Sequence, residues 1–494
     1  MYRRPLGNEP VTLDPSRIND VYGRSIAQQV FDGLVEYDHT LTIVPALAQY
    51  WKASRDGLTW TFTLRKGARF HHGREVTADD VVYSLTRLLD PRLKSQAADF
   101  FANISGAREF REGRARAVRG LVALDAATLR VMLEEAQVPF VSLLAIGHAK
   151  IVPRDVATQA GDAFGAAPVG SGPFRFERWE RGKEIVLTAN HDYWGGQPRL
   201  GRIVYRIFPS EAIAAMYQEF LKGNLEDTPV PMQGYPQLLA STPGTHVKRT
   251  MISVRFLGLN TRVKPFRDAR VRRALLYAID REAIVQDATR GRFVVARGIL
   301  PPGTLGYNPG LRGYDYDPAR ARELLAQAGY PAGRGLPPLI IWAGAKLERE
   351  HQMVVRDLKA VGFQAEFKYV TDWPQFARML GEGKFPMFQY AWFADVPDPD
   401  DFLFKLFHSK SPRNNTGYAN PQFDGLVERA RIEPDGQQRA DLYRRAEQMV
   451  MDDAVVVPFF HYTYERFFQP YVRSIEVSGL GDPYIPLRKI WLER

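Results

Sequence analysis

The chain has 494 residues, 45% of them hydrophobic and 25% charged, a balance that fits a globular protein and excludes long disordered stretches. That length exceeds what one hydrophobic core organises, so at least two lobes are expected. There is no cysteine, which removes disulfides, thiol catalysis and cysteine-ligated metal, and the net charge is +10, from 66 basic and 56 acidic residues. The basic residues are scattered, with short clusters such as Arg270, Arg272 and Arg273. A solvated basic surface is therefore expected, and no nucleic-acid partner. No run of about 18 apolar residues suggests a membrane span. No apolar segment follows Arg3-Arg4, so no signal peptide is visible. Either the protein is cytoplasmic, or an export signal preceded Tyr2 and has been removed.

Residues 58–64 alternate strictly, with Leu58, Trp60, Phe62 and Leu64 on one face, and predict a strand. Thr77 suits a helix N-cap, with Asp79 and Asp80 in the first turn and Val81, Leu85 and Leu88 at helical spacing. Asp90-Pro91 stops that helix. Residues 185–187 and 203–208 are strand candidates around a turn rich in Gly and Pro. Beyond about 250 the pattern becomes strand followed by helix. Residues 252–259 predict a strand. Val271, Ala274, Leu275, Ala278 and Ile279 then form one apolar helix face. Asp317 caps a helix with Pro318 at its first position; Ala321, Leu324, Leu325 and Ala328 are its buried stripe, and Gly329 its end. Residues 339–342 and 364–370 are strands around a helix at 348–361. Leu442, Ala446, Met449 and Val450 mark a late helix, and 455–460 and 474–477 are the last strand candidates. The fold class is mixed α/β.

The motifs argue against catalysis. His71-His72 are adjacent, so on a strand they point to opposite faces, and no His-Glu-x-x-His accompanies them. Gly170-Ser171-Gly172-Pro173 lacks phosphate-loop spacing, and Pro173 offers no N–H; a tight turn is expected. No Gly-x-Ser-x-Gly elbow exists. No enzyme activity, metal or cofactor is expected. Asp395, Asp398, Asp400 and Asp401 crowd one stretch, without calcium-loop spacing. Asp398-Pro399-Asp400-Asp401 reads as a helix start. Asp395 instead ends a buried strand at 387–393, and strand C-termini are where α/β folds present ligand groups.

Several stretches, in order, resemble the extracytoplasmic solute-binding proteins that serve peptide-type ABC importers, the dipeptide/oligopeptide-binding class of solute-binding protein family 5. They are Leu13-Asp14-Pro15, Phe31-Asp32-Gly33-Leu34-Val35, residues 60–67 with Phe70 and Gly73, residues 77–84, and residues 168–174 with Asn190, Tyr193 and Trp194. Leu259-Asn260, Pro265-Phe266, residues 268–275, residues 392–395, Asp398-Pro399 and residues 415–418 follow. Each block is weak alone; together they cover nearly the whole chain.

The resemblance implies a two-lobed clamshell of the periplasmic-binding-protein type, with an extra subdomain in the first lobe. Residues 1–44 and 166–250 would form lobe I, 45–165 its insertion subdomain, 251–477 lobe II, and 478–494 the return to lobe I. Two crossing segments, near 245–255 and 475–482, would form the hinge. It implies capture of a peptide or related amine-bearing solute, no chemical step, and delivery by a monomer to an ABC transporter permease. The location implied is periplasmic, with an export signal upstream of Tyr2. Carried over by position, the backbone of Asn19, Asp20 and Val21, and of Phe393 and Ala394, would pair with the ligand. Asp395 would take its ammonium, and Trp392 and Tyr462 would wall the pocket. A buried ammonium needs a carboxylate partner, so the chemistry agrees on Asp395. No arginine aligns for a ligand carboxylate, leaving Lys346 and Arg349 as substitutes. The alternatives are a nickel chelate, glutathione, an opine or an oligosaccharide as solute, or a membrane sensor as partner.

Overall fold

The computed structural model describes residues 1–209 and 212–493. The chain forms two compact units, one of Met1–Arg249 with Tyr464–Arg494 and one of Thr250–Thr463. It leaves the first unit at the end of strand Thr245–Thr250 and returns along strand Thr463–Phe468. These two strands share a three-stranded sheet with Asp227–Pro229, and Thr463–Phe468 is central in it. The resemblance implies a return at residue 478. It comes at Tyr464 because Thr463–Phe468 pairs antiparallel with Asp227–Pro229, which belongs to the first unit. Residues 474–477, a strand candidate from sequence, are irregular; the neighbouring strand is the short Val472–Arg473, paired with Trp491–Leu492.

The first unit holds two four-stranded sheets. In one, Ala48–Ala53, Thr59–Leu64, Thr128–Met132 and Leu121–Asp125 lie side by side, all antiparallel. Trp60, Phe62 and Leu64 are buried and their neighbours are not, as the alternation predicts. Helix Ala78–Leu89 begins as expected: the Thr77 N–H donates to Asp80 Oδ2 at 3.0 Å, closing a capping box. In the other sheet, Tyr2–Leu6 pairs parallel with Arg202–Ile207, followed by Glu184–Ala189 and Phe174–Glu180.

Three of the sequence blocks meet at one buried carboxylate. Asp32 accepts hydrogen bonds from Ser171 Oγ at 3.1 Å, Tyr193 Oη at 3.0 Å and Trp194 Nε1 at 2.9 Å. Burial pushes its carboxyl up to about 6, against the Trp194 donor, the Lys150 ammonium and the Tyr193 donor. Gly170 and Gly172 make this possible, because a Cβ there would fall 2.0 Å from the Val30 carbonyl oxygen and 2.6 Å from its carbon. His71 joins the same turn: the Gly170 N–H donates to Nδ1 at 3.3 Å and Nε2 lies 3.0 Å from the Gly172 oxygen. Burial drives this imidazole down to about 4, so it is neutral and structural.

A second buried knot ties the chain ends together. Arg4 donates to Asp482 Oδ1 at 2.6 Å and lies 3.6 Å from Asp227; Arg466 pairs with Asp227 and, at 3.1 Å, with Asp482. The Arg4 and Asp227 side chains are each 1% exposed, so neither charge has water to fall back on.

The second unit is built on a six-stranded sheet in the order Val294–Val295, Val456–His461, Ser253–Leu259, Met387–Phe393, Leu339–Ala343, Ala365–Tyr369. The last three run parallel to one another, and the remaining pairings are antiparallel. Ser253–Leu259 is buried along its whole length. Its core also takes Val271, Ala274, Leu275 and Ala278 from helix Ala269–Ala278, Ala321, Leu324 and Leu325 from Pro318–Gln327, and Met353, Val354 and Leu358 from Glu348–Ala360. Glu447, on helix Gly436–Asp452, accepts the N–H groups of Ile299 and Leu300, both at 2.8 Å, and so pins the loop that starts there.

Two outcomes follow. Asp227→Asn leaves two buried guanidinium groups, Arg4 and Arg466, sharing the single carboxylate of Asp482, and is expected to cost about 3–5 kcal/mol of stability, read by chemical denaturation beside wild type. Burial pushes the Glu447 carboxyl from 4.5 up to about 7, so it stays protonated in the fold where the unfolded chain has released its proton. Its contribution is complete below about pH 4.5 and lost as pH rises through about 7. Glu447→Gln should flatten the fall in melting temperature across that window.

Candidate functional site

Strand Met387–Phe393 is central in the second unit's sheet, and its C-terminal end carries the expected group. Beyond it the Ala394 N–H donates to the Ile252 oxygen at 2.9 Å. That bond fixes the alternation of the ladder with Ser253–Leu259. The backbone groups of Ala391 and Phe393 therefore point away from that partner. On their side, among the described residues, the neighbouring strand Leu339–Ala343 pairs with Met387 and Phe388 and no further. The edge from Gln389 to Phe393 is thus open to a further strand, with Phe393 and Ala391 offering the hydrogen bonds. The Ala394 backbone, which the resemblance implies pairs with a ligand, has its N–H already spent on Ile252.

The strand end is fixed by a carboxylate on the helix that follows. Asp401 Oδ2 accepts both the Trp392 indole N–H at 3.1 Å and the Asp395 backbone N–H at 3.0 Å. Lys405, on the same helix Asp400–Phe407, pairs with Asp401 and reaches Asp395 Oδ2 at 3.1 Å. The Asp401 side chain is 1% exposed and that of Asp395 is 35% exposed. Burial, with the Asp395 charge, raises the Asp401 carboxyl to about 6, opposed by Lys405 and the Asp395 N–H. Burial alone would lower the Lys405 ammonium, but Asp401 and Asp395 outweigh it and hold the group above its ordinary range. Asp401 is therefore more than a first-turn acid.

Its neighbours mark a helix start, one residue later than the sequence reading: the helix begins at Asp400 with Pro399, not Asp398, at the cap position. Asp398 accepts the Asp400 N–H at 2.9 Å and grips Arg439 with both oxygens, at 2.8 and 2.7 Å. Asp400 pairs with Arg431 at 3.2 Å.

Trp392 is buried, so its ring packs while its N–H positions Asp401. Tyr462 lies beside Phe393, ring centroids 4.9 Å apart, and accepts a hydrogen bond from Arg255 at 3.1 Å. Phe393 itself is 47% exposed, an aromatic face available to a ligand. Arg255 is neutralised by Glu350 at 2.8 Å and also bonds Gln389 at 2.6 Å. Lys346 is exposed, and exposed Arg349 lies 3.7 Å from Asp287. Neither is organised as a carboxylate receptor.

Asn19, Asp20 and Val21 belong to the first unit. Asn19 is exposed. Asp20 is extended and caps helix Val21–Val30, taking the Gly23 N–H at 2.7 Å, so its carboxylate is occupied by the helix. Val21 opens the helix, which ends the extended stretch at Asp20.

Lys405 and Arg255 were not singled out from sequence. Lys405 had a local signal, standing four residues after Asp401 on a helix. Arg255 is a lone charge in an otherwise apolar strand, a pattern that demands a buried partner. Among the described residues, no cluster of three or more His, Cys, Asp or Glu is placed to hold a metal. Trp392→Phe removes one of the two donors on Asp401 Oδ2. It should lower stability by about 1–3 kcal/mol, measured by denaturation.

Comparison with known proteins places this geometry in context. Residues 42–414 match the family described as bacterial extracellular solute-binding proteins, family 5 Middle. The heme-binding protein A of Haemophilus influenzae is 29% identical, over 97% of this chain and 89% of its own. The dipeptide-binding protein of Escherichia coli is also 29% identical, over 92% and 87%. A periplasmic binding protein of Helicobacter pylori, associated with an ABC transporter and solved with the peptide STSA, superposes with a TM-score of 0.79 at 27% identity. That match covers 100% of this chain and 99% of the other.

Proposed function

The chain belongs to the bacterial extracellular solute-binding proteins of family 5, and on that premise we propose that it captures a peptide or related amine-bearing solute by hinge closure. The loaded protein then delivers that solute to the permease of an ABC importer. The observation that carries the solute class is Asp395: a partly exposed carboxylate at the end of a strand whose outer edge, from Gln389 to Phe393, is open. A peptide lying along that edge gains main-chain hydrogen bonds from Ala391 and Phe393, which tolerate any sequence, and an ion pair at its amino end. The protein works outside the cytoplasmic membrane, as a binding protein and not an enzyme. The exposed ring of Phe393 beside Tyr462 favours a second reading, a flat apolar solute such as the heme named for one relative.

Native mass spectrometry of the purified protein separates the two readings by the mass of retained solute. Calorimetry with trialanine and N-acetyl-trialanine tests the anchor. Asp395→Asn should weaken trialanine binding by about 1.5–5 kcal/mol, roughly ten- to several-thousand-fold, and acetylation should do the same to wild type. Equal affinities in all three cases would remove the ammonium assignment. At about 100 times its dissociation constant, a bound solute should stabilise the fold by about 2.7 kcal/mol, visible as a raised melting temperature.

A further inference from the structure

An ammonium sees a charge at Asp395 only if that charge is not already cancelled. Lys405 lies 3.1 Å from Asp395 Oδ2, close enough to cancel it. The same ammonium, however, also pairs with Asp401, one helical turn earlier. Asp401 is almost fully buried and its other oxygen is filled by two N–H groups, so a cation beside it is the condition for its staying ionised. Two carboxylates and one ammonium leave one net negative charge, and Asp395 is the member that solvent reaches.

Among the described residues the neighbouring carboxylates have cations of their own, although Asp400 also feels Lys405. Asp398 is matched by Arg439 at 2.7 Å and Asp400 by Arg431 at 3.2 Å. Tyr443 lies against Asp400, and exposed Arg413 acts on Tyr390, which also feels Asp395.

We propose that Asp401 and Lys405 are positioning residues for solute capture: Asp401 holds Lys405 so that the charge of Asp395 remains for the solute, and Lys405 stands in for the proton that two adjoining carboxylates would otherwise share. The inference rests on the reading of Asp395 as the ammonium anchor. Its consequence is that capture of an amine is insensitive to pH around neutrality, a property that the two adjoining carboxylates would lack without the ammonium between them. Without Lys405 the two acids titrate as a coupled pair, and one proton must leave as the solute's ammonium arrives.

A charge cycle tests this with trialanine as probe. Asp401→Asn keeps an acceptor for Trp392 and the Asp395 N–H but turns Lys405 wholly onto Asp395, so affinity should fall by about tenfold or more. Lys405→Met should still bind, with release of up to about one proton per peptide and affinity rising by up to about tenfold per pH unit. Calorimetry in buffers of different ionisation enthalpy reads that proton. The double variant, Asp401→Asn with Lys405→Met, should return wild-type affinity without proton release. Wild-type affinity in Asp401→Asn, or pH-independent binding in Lys405→Met, overturns the assignment. If Lys405→Met does not fold, Asp401→Asn and the double variant carry the test. A carboxyl-carbon NMR titration of aspartate-labelled protein decides the charge assignment with no peptide present. One carboxylate of the pair should titrate at higher pH in Lys405→Met than in wild type, and unchanged titration overturns the proposal. If trialanine fails to bind wild type, the solute reading falls while this titration still stands.

Discussion

The buried carboxylate of Asp401 is the joint on which the candidate site hangs. It gathers the indole of Trp392, the backbone N–H of Asp395 and the ammonium of Lys405. Those groups come from the end of a strand, the turn after it and the following helix. A charge so buried is tolerated only with partners, and that requirement fixes where the chain turns after Phe393. The direction of the Asp395 side chain follows from that turn.

The same logic recurs where the first unit is joined. Asp32 collects a serine, a tyrosine and a tryptophan from two separate stretches, and the glycines on either side of Ser171 exist because a helix carbonyl passes too close for any Cβ. Asp14 grips Arg87 with both oxygens at 2.6 Å, tying the first segment to helix Ala78–Leu89. Arg4, Asp227, Arg466 and Asp482 join the chain's beginning to its return. The short polar blocks that mark this chain as a family member are therefore largely joints, each a buried polar group with its hydrogen bonds satisfied. Asp395 differs from them in keeping one side toward solvent.

This separates scaffold from recognition. Joints that must be satisfied internally leave little freedom to vary, whereas the open edge of Gln389–Phe393 and the exposed ring of Phe393 place few demands on the fold. A binding protein built this way holds a strand edge and one charge rigidly and leaves the remaining contacts to the solute.

Local physics was sufficient wherever neighbours in sequence decide the outcome. The period-two pattern of residues 58–64, the Thr77–Asp80 capping box, the apolar stripe of helix Ala269–Ala278 and the Asp317-Pro318 start of helix Pro318–Gln327 were all legible, because each depends on residues within a turn or two. So was the position of Asp395 at a strand end. The tertiary structure alone decided what depends on distant partners. It made Thr463–Phe468, and no later segment, the return to the first unit, because pairing with Asp227–Pro229 joins positions more than 200 residues apart. It spent the Ala394 N–H on Ile252 and left Phe393 and Ala391 open, because a ladder's alternation is set by its partner strand. It turned Asp401 from a helix-start acid into the group that holds the site, and it brought Lys405 to Asp395. Charge balance among three side chains is a property of their positions in space, and no pattern along the chain carries it.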